Sequence, residues 1–337
     1  MDNENKTQAS IFLLTGLTDN TTLAIFLFIF FLLVYIVTVV SNVGLFAIVY
    51  KTSALQTPMY YFLSYLSLVD LFYSSTVVPK MISDLIAKTK AISFQGCALQ
   101  FFVFATLAGT DLVLLSNMSY DRYVAICHPL HYVLIMTKKK CLYLVLNAFF
   151  LGFMQSAIQI NCIFGLQFCG SNLIDHFYCD VLPLFKLSCS DISTCEMITH
   201  LCIGSFCIGS LTTILVSYIF IMFSILKINS TKGRIKAFST CSSHLICASV
   251  FFVSVFCTYL RPSSDLFNEQ DKVASIFYSV MTPMLNPLIY SLRNKEVKSA
   301  IKSTALGFKN IVHIGFLNVW DVVNGLPALK NLWKKSM

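Results

Sequence analysis

Hydrophobic residues in this chain gather into long runs that polar segments separate. Seven runs are almost free of Asp, Glu, Lys and Arg; they cover residues 23–50, 58–79, 92–120, 141–168, 197–226, 237–260 and 273–292. Each matches or exceeds the roughly 20 residues that a helix needs to cross the hydrocarbon core of a bilayer. Because the runs lack the strict alternation of membrane barrel strands, they predict seven spanning helices.

Composition supports the same prediction. The 337 residues are 56% hydrophobic and 12% charged, whereas soluble domains average roughly 45–50% apolar and 25% charged residues. We therefore expect an all-α membrane protein built as one seven-transmembrane helix bundle. Residues 1–22 would form an N-terminal segment and residues 23–302 the bundle, with a short cytoplasmic helix after Arg293. Residues 303–337 would be a C-terminal extension, either a disordered tail or an interfacial amphipathic helix.

The distribution of basic residues predicts the orientation of the bundle. With the N-terminus outside, 17 Lys and Arg residues fall on the inner side and seven on the outer side. The positive-inside rule then favours an extracellular N-terminus and a cytoplasmic C-terminus. The net charge of +8 fits a basic face against anionic lipid and a protein partner, and it does not indicate nucleic acid. In the outer N-terminal segment, Asn5 begins a glycosylation sequon.

Thirteen cysteines are present, so a monomer cannot pair all of them. Four lie in predicted outer segments, where an oxidising exterior permits disulfides: Cys97, Cys169, Cys179 and Cys189. Sequence alone leaves three ways to pair these four. The other nine lie in spans or on the reducing side, where we expect free buried thiols.

Two acidic residues, Asp70 and Asp111, lie inside apolar runs. An ionised carboxylate at the centre of a bilayer costs at least ~2.5 kcal/mol, so both side chains should face the bundle interior. There they could join Asn42 and Asn286 in one polar network. The network is either a water- or cation-filled site that rearranges during switching, or a satisfied set of hydrogen bonds that fixes helix packing.

The third run ends in an acidic and basic pair, Asp121 and Arg122, followed by Tyr123. At 1.5 Å per residue the pair lies roughly 16 Å beyond Asp111, which places it at the inner interface. An arginine there can be held by its neighbouring carboxylate in one state and released toward a partner in another. The alternative is a surface arginine that extends into the interface without a switching role.

Five stretches of this sequence resemble, in order, the motifs of one receptor family. They are Leu55–Ser64, Met118–Leu130, Ser217–Tyr218, Lys236–His244 and Pro283–Asn294. With them the chain is similar, over about residues 10 to 302, to the olfactory branch of the rhodopsin-like G-protein-coupled receptors. The resemblance implies a multi-pass plasma membrane protein of sensory cilia, whose partners are an odorant and a heterotrimeric G protein of the stimulatory, olfactory type that raises cyclic AMP.

The resemblance also implies roles for particular residues. It pairs Cys97 with Cys179 and Cys169 with Cys189, and it supports a switching role for the polar network. Its coupling and switch residues are Asp121, Arg122, Tyr123, Tyr218, Lys236 and Tyr290. Pro287 would weaken the seventh helix and let Tyr290 move. Tyr218 and Tyr290 could instead belong to an interfacial aromatic belt.

A ligand site is predicted on the third span. Helical spacing puts Phe104, Ala105, Ala108 and Gly109 on one face, which either lines a cavity or packs closely on another helix. Carried over from the resemblance, the rest of the pocket is Cys202, Ile203, Phe206, Phe252, Val255, Tyr259, Ile276 and Ser279. This set contains no charged residue, so we expect a small neutral volatile ligand.

Other functions have little support in the sequence. We find no Walker loop, no His-Glu-x-x-His and no Cys-x-x-Cys motif, so we expect neither an enzyme nor a bound cofactor or metal. A retinal protein would need a lysine in the seventh span, and residues 273–292 contain none. The alternatives kept are a seven-helix membrane transporter and a rhodopsin-like receptor outside the olfactory branch.

Overall fold

The computed structural model describes residues 10–169, 171–259, 269–293 and 296–302, which are mostly helical. In chain order the α-helices are α1 (Thr21–Lys51), α2 (Pro58–Ile86), α3 (Phe94–Cys127), α4 (Tyr132–Ile135), α5 (Lys138–Ile163), α6 (Val181–Leu187), α7 (Ser193–Leu226), α8 (Thr231–Tyr259), α9 (Glu269–Ile276) and α10 (Thr282–Arg293). A π-helical turn, Phe277–Met281, joins α9 to α10, and the three together form the seventh span. Helices α4 and α6 are short and lie in connections.

Seven helical stretches are long and apolar enough to cross a membrane, which confirms the predicted all-α, seven-helix fold. They are α1, α2, α3, α5, α7, α8 and the seventh span. Helix α1 begins at Thr21, two residues before its predicted start. Helix α2 continues through Pro79 to Ile86, beyond the apolar run, and the ion pair of Lys80 with Asp84 stabilises its last turns.

Polar side chains fix where three of the spans begin. The side-chain oxygens of Asn20, Ser93 and Thr137 accept hydrogen bonds from backbone N–H groups in the first turns of α1, α3 and α5. Such N-caps satisfy amides that have no partner within their own helix. The boundaries of these spans are therefore encoded locally, independently of packing.

Helix α3 is central in the bundle and packs against α2, α5 and α7. Two glycines let it approach α5 closely. A Cβ added at Gly109 would lie 3.1 Å from the Cα of Gly152, and one added at Gly152 would lie 2.9 Å from the backbone nitrogen of Thr110. Beside them the hydroxyls of Thr106 and Ser156 form a hydrogen bond of 2.5 Å. Small residues thus set the spacing of these two helices.

Three short strands form a sheet at the end of the bundle where α1 and α3 begin. Strand β1 (Ile11–Leu14) is central, antiparallel to β2 (Ala91–Ser93) and parallel to β3 (Leu173–Ile174). Phe12 of β1 is fully buried, and its ring contacts Phe168 edge-on, with centroids 5.5 Å apart. The N-terminal segment, expected only as a polar outer stretch, therefore contains a strand that covers this end of the bundle.

Three disulfides lie at the same end, which we call the disulfide end. Two join Cys97 to Cys179 and Cys169 to Cys189, the pairs that the resemblance implied. The third joins Cys162 to Cys195, whose Cα atoms are 5.6 Å apart. The expectation of free thiols at Cys162 and Cys195 was wrong. Helix α5 ends at Ile163, five residues before the end of its apolar run, so Cys162 lies at the helix end, opposite the start of α7.

Candidate functional site

A cavity lies inside the bundle beneath the connection between α5 and α7. Its volume is about 60 Å³. The lining residues are Tyr73, Phe101, Phe104, Ala105, Ala108, Gly109, Leu112, Gln155, Gln159, Asp180, Val181, Ile203, Phe251, Val255, Tyr259 and Tyr278.

The α3 face predicted from helical spacing contributes to this lining. Phe104, Ala105, Ala108 and Gly109 all line the cavity. The ring of Phe104 stacks on Tyr73 of α2, with centroids 4.7 Å apart, and the three small residues leave space below it. Since Gly109 also packs against α5, the face both lines a cavity and packs on a neighbouring helix.

The structure divides the remaining predicted ligand residues. Ile203, Val255 and Tyr259 line the cavity, whereas Cys202, Phe206, Phe252, Ile276 and Ser279 do not. Phe206 lies just behind the lining, where its ring would be 3.5 Å from a Cβ at Gly109. Ser279 is fully buried, and its hydroxyl donates to the backbone oxygen of Ser275 within the seventh span.

The cavity has a charged residue at its roof, contrary to the expectation that Asp, Glu, Lys and Arg would be absent. Asp180, next to the disulfide-bonded Cys179, lines the cavity and is 3% exposed. Its carboxylate accepts hydrogen bonds from the hydroxyls of Tyr178 (2.8 Å), Tyr259 (2.9 and 3.0 Å) and Tyr278 (3.3 Å). The prediction failed because it drew the pocket from helices alone, whereas a disulfide holds this loop over the bundle.

The same carboxylate also caps α6, because its Oδ1 atom accepts a 2.7 Å bond from the backbone N–H of Val181. The hydroxyls around it also lie within hydrogen-bond distance of one another, Tyr178 of Tyr278 and Tyr259 of Tyr278. Each hydroxyl has one proton, so these contacts share the protons that Asp180 accepts. Burial raises the pKa of the Asp180 carboxyl, and the hydrogen bonds that it accepts oppose that shift. We call Asp180, Tyr178, Tyr259 and Tyr278 the tyrosine–aspartate roof.

Below the cavity, the predicted polar network is only partly connected. The amide nitrogen of Asn286 donates to both carboxylate oxygens of Asp70, at 3.3 and 3.0 Å, which joins the seventh span to α2. Asn42 instead donates to the backbone oxygen of Pro283 at 2.9 Å. The two carboxylate oxygens of Asp111 are buried and have no hydrogen-bond partner among the described residues.

Arg122 lies at the opposite end of α3, which we call the Arg122 end. Its guanidinium contacts the sulfur of Met59. The carboxylate of Asp121 accepts a 2.9 Å bond from Tyr132 of α4, and none of the ion pairs found in the described part of the chain includes Arg122. Asp121 therefore bonds to Tyr132 in the connection after α3, and not to Arg122 as expected. Tyr123 bonds to His128 at 3.1 Å.

The other predicted switch residues also lie toward the Arg122 end. The Tyr218 hydroxyl of α7 bonds to Nδ1 of His244 on α8 at 3.0 Å, and Nε2 of that histidine lies 2.9 Å from the backbone oxygen of Leu115 on α3. Tyr290 is 3% exposed. The Lys236 side chain, Asn5 and residues 303–337 lie outside what the structure describes.

Sequence reasoning missed nine lining residues, namely Tyr73, Phe101, Leu112, Gln155, Gln159, Asp180, Val181, Phe251 and Tyr278. One signal could have found two of them: Gln155 and Gln159 are four residues apart in an apolar run and therefore share a helix face. Asp180 follows a cysteine that the resemblance tied to the start of α3, so it too could have been placed near the cavity.

Known proteins resemble this chain over nearly its whole length. The family described as "Olfactory receptor" matches residues 31–307. The chain is 50% identical over 303 residues to olfactory receptor 5AP2 of Mus musculus, covering 90% of this chain and 95% of that protein. It is 47% identical over 314 residues to olfactory receptor 5B12 of Homo sapiens, covering 93% and 99%. It is 46% identical over 302 residues to olfactory receptor 5AR1 of Mus musculus, covering 90% of this chain and 97% of that protein.

Proposed function

This chain belongs to the olfactory receptor family, and we propose that it binds a small neutral volatile ligand in the cavity and then activates a heterotrimeric G protein of the stimulatory, olfactory type. Family membership makes it an odorant-sensing G-protein-coupled receptor and a multi-pass plasma membrane protein rather than an enzyme. The ligand class and the G-protein type are our own proposals.

Three disulfides at one end support an orientation with that end outside, because disulfides persist in oxidising compartments. The opposite end carries Lys138, Lys139 and Lys140 at the start of α5, which suits the cytoplasmic leaflet. In this orientation the cavity opens toward the exterior half of the bundle. The Arg122 end then faces the G protein.

The chemistry of the lining favours a neutral ligand. Asp180 is the one charged side chain among the described lining residues, and three tyrosine hydroxyls and a backbone N–H already donate to it. A ligand carboxylate would find no Lys or Arg in this lining, and a ligand ammonium would have to displace those donors. Burying an unpaired charge costs several kcal/mol or more. Apolar odorants with one or two polar atoms fit better.

The position of the cavity relative to Arg122 carries the proposal. Phe104 and Arg122 are 18 residues apart on one continuous helix, or roughly 27 Å. Ligand and G protein would therefore act at opposite ends of α3. A ligand that binds more tightly when the inner ends of the helices separate shifts the population toward that state.

Two links between helices, both on the Arg122 side of the cavity, are candidates for the rearrangement. Tyr218 and His244 connect α7, α8 and α3 through hydrogen bonds. Asp70 and Asn286 connect α2 to the seventh span. Separation of the inner ends would require these bonds to exchange partners. Asp121, Arg122, Tyr123, Lys236 and Tyr290 would then border the opening.

The test measures cyclic AMP in cells that express the native receptor, Arg122→Ala or Lys51→Ala, with surface amounts matched by antibody labelling. The ligands are neutral odorants and their amine and carboxylate analogues. We expect a response to at least one neutral compound, its loss in Arg122→Ala and its retention in Lys51→Ala, which removes an exposed charge at the same end of the bundle. A response to charged analogues alone, or an unchanged response in Arg122→Ala, would contradict the proposal.

A further inference from the structure

Most polar groups around the cavity have hydrogen-bond partners, but two do not. The Tyr73 hydroxyl and the Gln155 amide oxygen are buried, line the cavity and have no partner among the described residues. In folded proteins the large majority of buried polar atoms are paired, and each exception has an explanation. The side chains of both residues line the one cavity, so a ligand group bound there is a candidate partner for either atom.

The backbone of α3 makes room for the Gln155 oxygen. A Cβ added at Gly109 would lie 2.7 Å from that oxygen, closer than van der Waals contact allows. Because Gly109 has no side chain, the amide of Gln155 on α5 can lie against α3 at the cavity wall. Gly152, three residues earlier on α5, brings the two helices together at the same level. The acceptor is therefore held by close helix packing.

The Tyr73 ring and the Gln155 amide approach α3 at different levels. Tyr73 stacks on Phe104, while Gln155 contacts the position of Gly109. Five residues on α3 correspond to roughly 7.5 Å along the helix axis, and Gly109 is the deeper of the two. A ligand that reaches Gln155 must therefore place a polar group deep in the cavity, below the tyrosine–aspartate roof.

We propose that Gln155 determines specificity for a hydroxyl-bearing odorant, so that the receptor prefers an alcohol to the ketone, ester or methyl ether of the same skeleton. The inference rests on the proposed odorant-binding function. A carbonyl oxygen only accepts hydrogen bonds, so its partner must be a donor. An alcohol supplies an O–H donor for this oxygen, whereas a ketone, ester or ether can only accept from the amide NH2 group of Gln155 and leaves its oxygen buried and unpaired.

The expected preference is about tenfold in half-maximal concentration, since an unsatisfied buried acceptor weakens binding by roughly that factor. The probes are alcohols, ketones and methyl ethers matched on linear, branched and aromatic skeletons. They are assayed by cyclic AMP on the native receptor, Gln155→Leu and Gln95→Leu. Gln95 makes the same substitution possible at an exposed position that does not line the cavity. Surface labelling normalises each response.

We expect the native receptor and Gln155→Leu to differ in selectivity. The native receptor and Gln95→Leu should favour the alcohol, and Gln155→Leu should respond to alcohol and ether alike. A native receptor that responds equally to both, or a preference that survives in Gln155→Leu, would overturn this inference alone. If Gln155→Leu fails to reach the surface, Gln155→Met replaces it. The ratio of its alcohol response to its ether response is then compared with the native ratio. Absence of any native response at normal surface level would instead overturn the proposed function.

Discussion

Replacing Asp180 by alanine tests whether the tyrosine–aspartate roof stabilises the receptor. In the native protein the carboxylate caps α6 through the Val181 N–H and accepts bonds from three tyrosine hydroxyls. Loss of an N-cap costs about 1 kcal/mol, and leaving buried donors without an acceptor costs about 1–3 kcal/mol. Some of the second cost is recovered because Tyr259 and Tyr278 still bond to each other at 2.8 Å. We expect a net loss of about 3 kcal/mol.

The assay is thermal unfolding of detergent-solubilised receptor, followed with a dye that becomes fluorescent on reacting with exposed thiols. The buried free thiols of Cys141, Cys207 and Cys247 report unfolding. With an unfolding entropy of about 2.1 cal/mol/K per residue over 337 residues, a loss of about 3 kcal/mol should lower Tm by roughly 4 °C. The control is Asp19→Ala at the same end, where a 97% exposed carboxylate makes an ion pair with Lys90; such surface pairs contribute about 0–1 kcal/mol.

One outcome would refute the reasoning about the roof. If Asp180→Ala unfolds at the temperature of Asp19→Ala, the tyrosine hydroxyls satisfy one another without the carboxylate. Asp180 would then be tolerated at the roof but would not organise it. Circular dichroism at low temperature checks that each variant starts with native helix content, so that a lower Tm reports stability and not misfolding.

Two further predictions concern helix spacing and the third disulfide. Gly152→Leu should prevent surface expression, because a Cβ there would lie 2.9 Å from the backbone nitrogen of Thr110. The control, Gly204→Leu, should be expressed normally, because a Cβ at Gly204 has nothing within 4 Å. Equal surface labelling of the two variants would contradict the close packing of α3 and α5. Cys162→Ser and Cys195→Ser should each lower stability by about 3 kcal/mol and the double variant by no more than either alone. Additive losses in Tm would mean that no bond joins the two residues.

The seven spans were predictable because a run of some twenty hydrophobic residues in a helical protein is most simply explained by a helix that crosses the membrane. The residues at which each helix begins and ends were harder to predict. The run 141–168 continues past the end of α5 at Ile163, because Phe164 and Phe168 pack around Phe12 and Phe94 in a second apolar core formed by loops and helix ends. Sequence does not reveal whether lipid or a folded loop covers an apolar residue.

The candidate site was predictable only on its helical side. Spacing placed the α3 face correctly at the cavity, but Asp180 lies on a loop whose position depends on the disulfide of Cys179 with Cys97 and on hydrogen bonds to distant tyrosines. Pairing such as that of Cys162 with Cys195 is similarly decided by where two helices end. Contacts between segments that are far apart in the chain can be identified only from the folded structure.

The pairing of β1 has a consequence for synthesis of the receptor. Leu13 pairs with Leu173, so the strand made first must wait for a partner 160 residues later in the chain. At 5–20 residues per second the ribosome needs roughly 10 to 30 s to supply it. Throughout that interval Phe12, fully buried in the finished protein, has no complete core to enter. Early in biogenesis the N-terminal strand is thus an exposed apolar segment, and a chaperone that shields it would raise the yield of folded receptor.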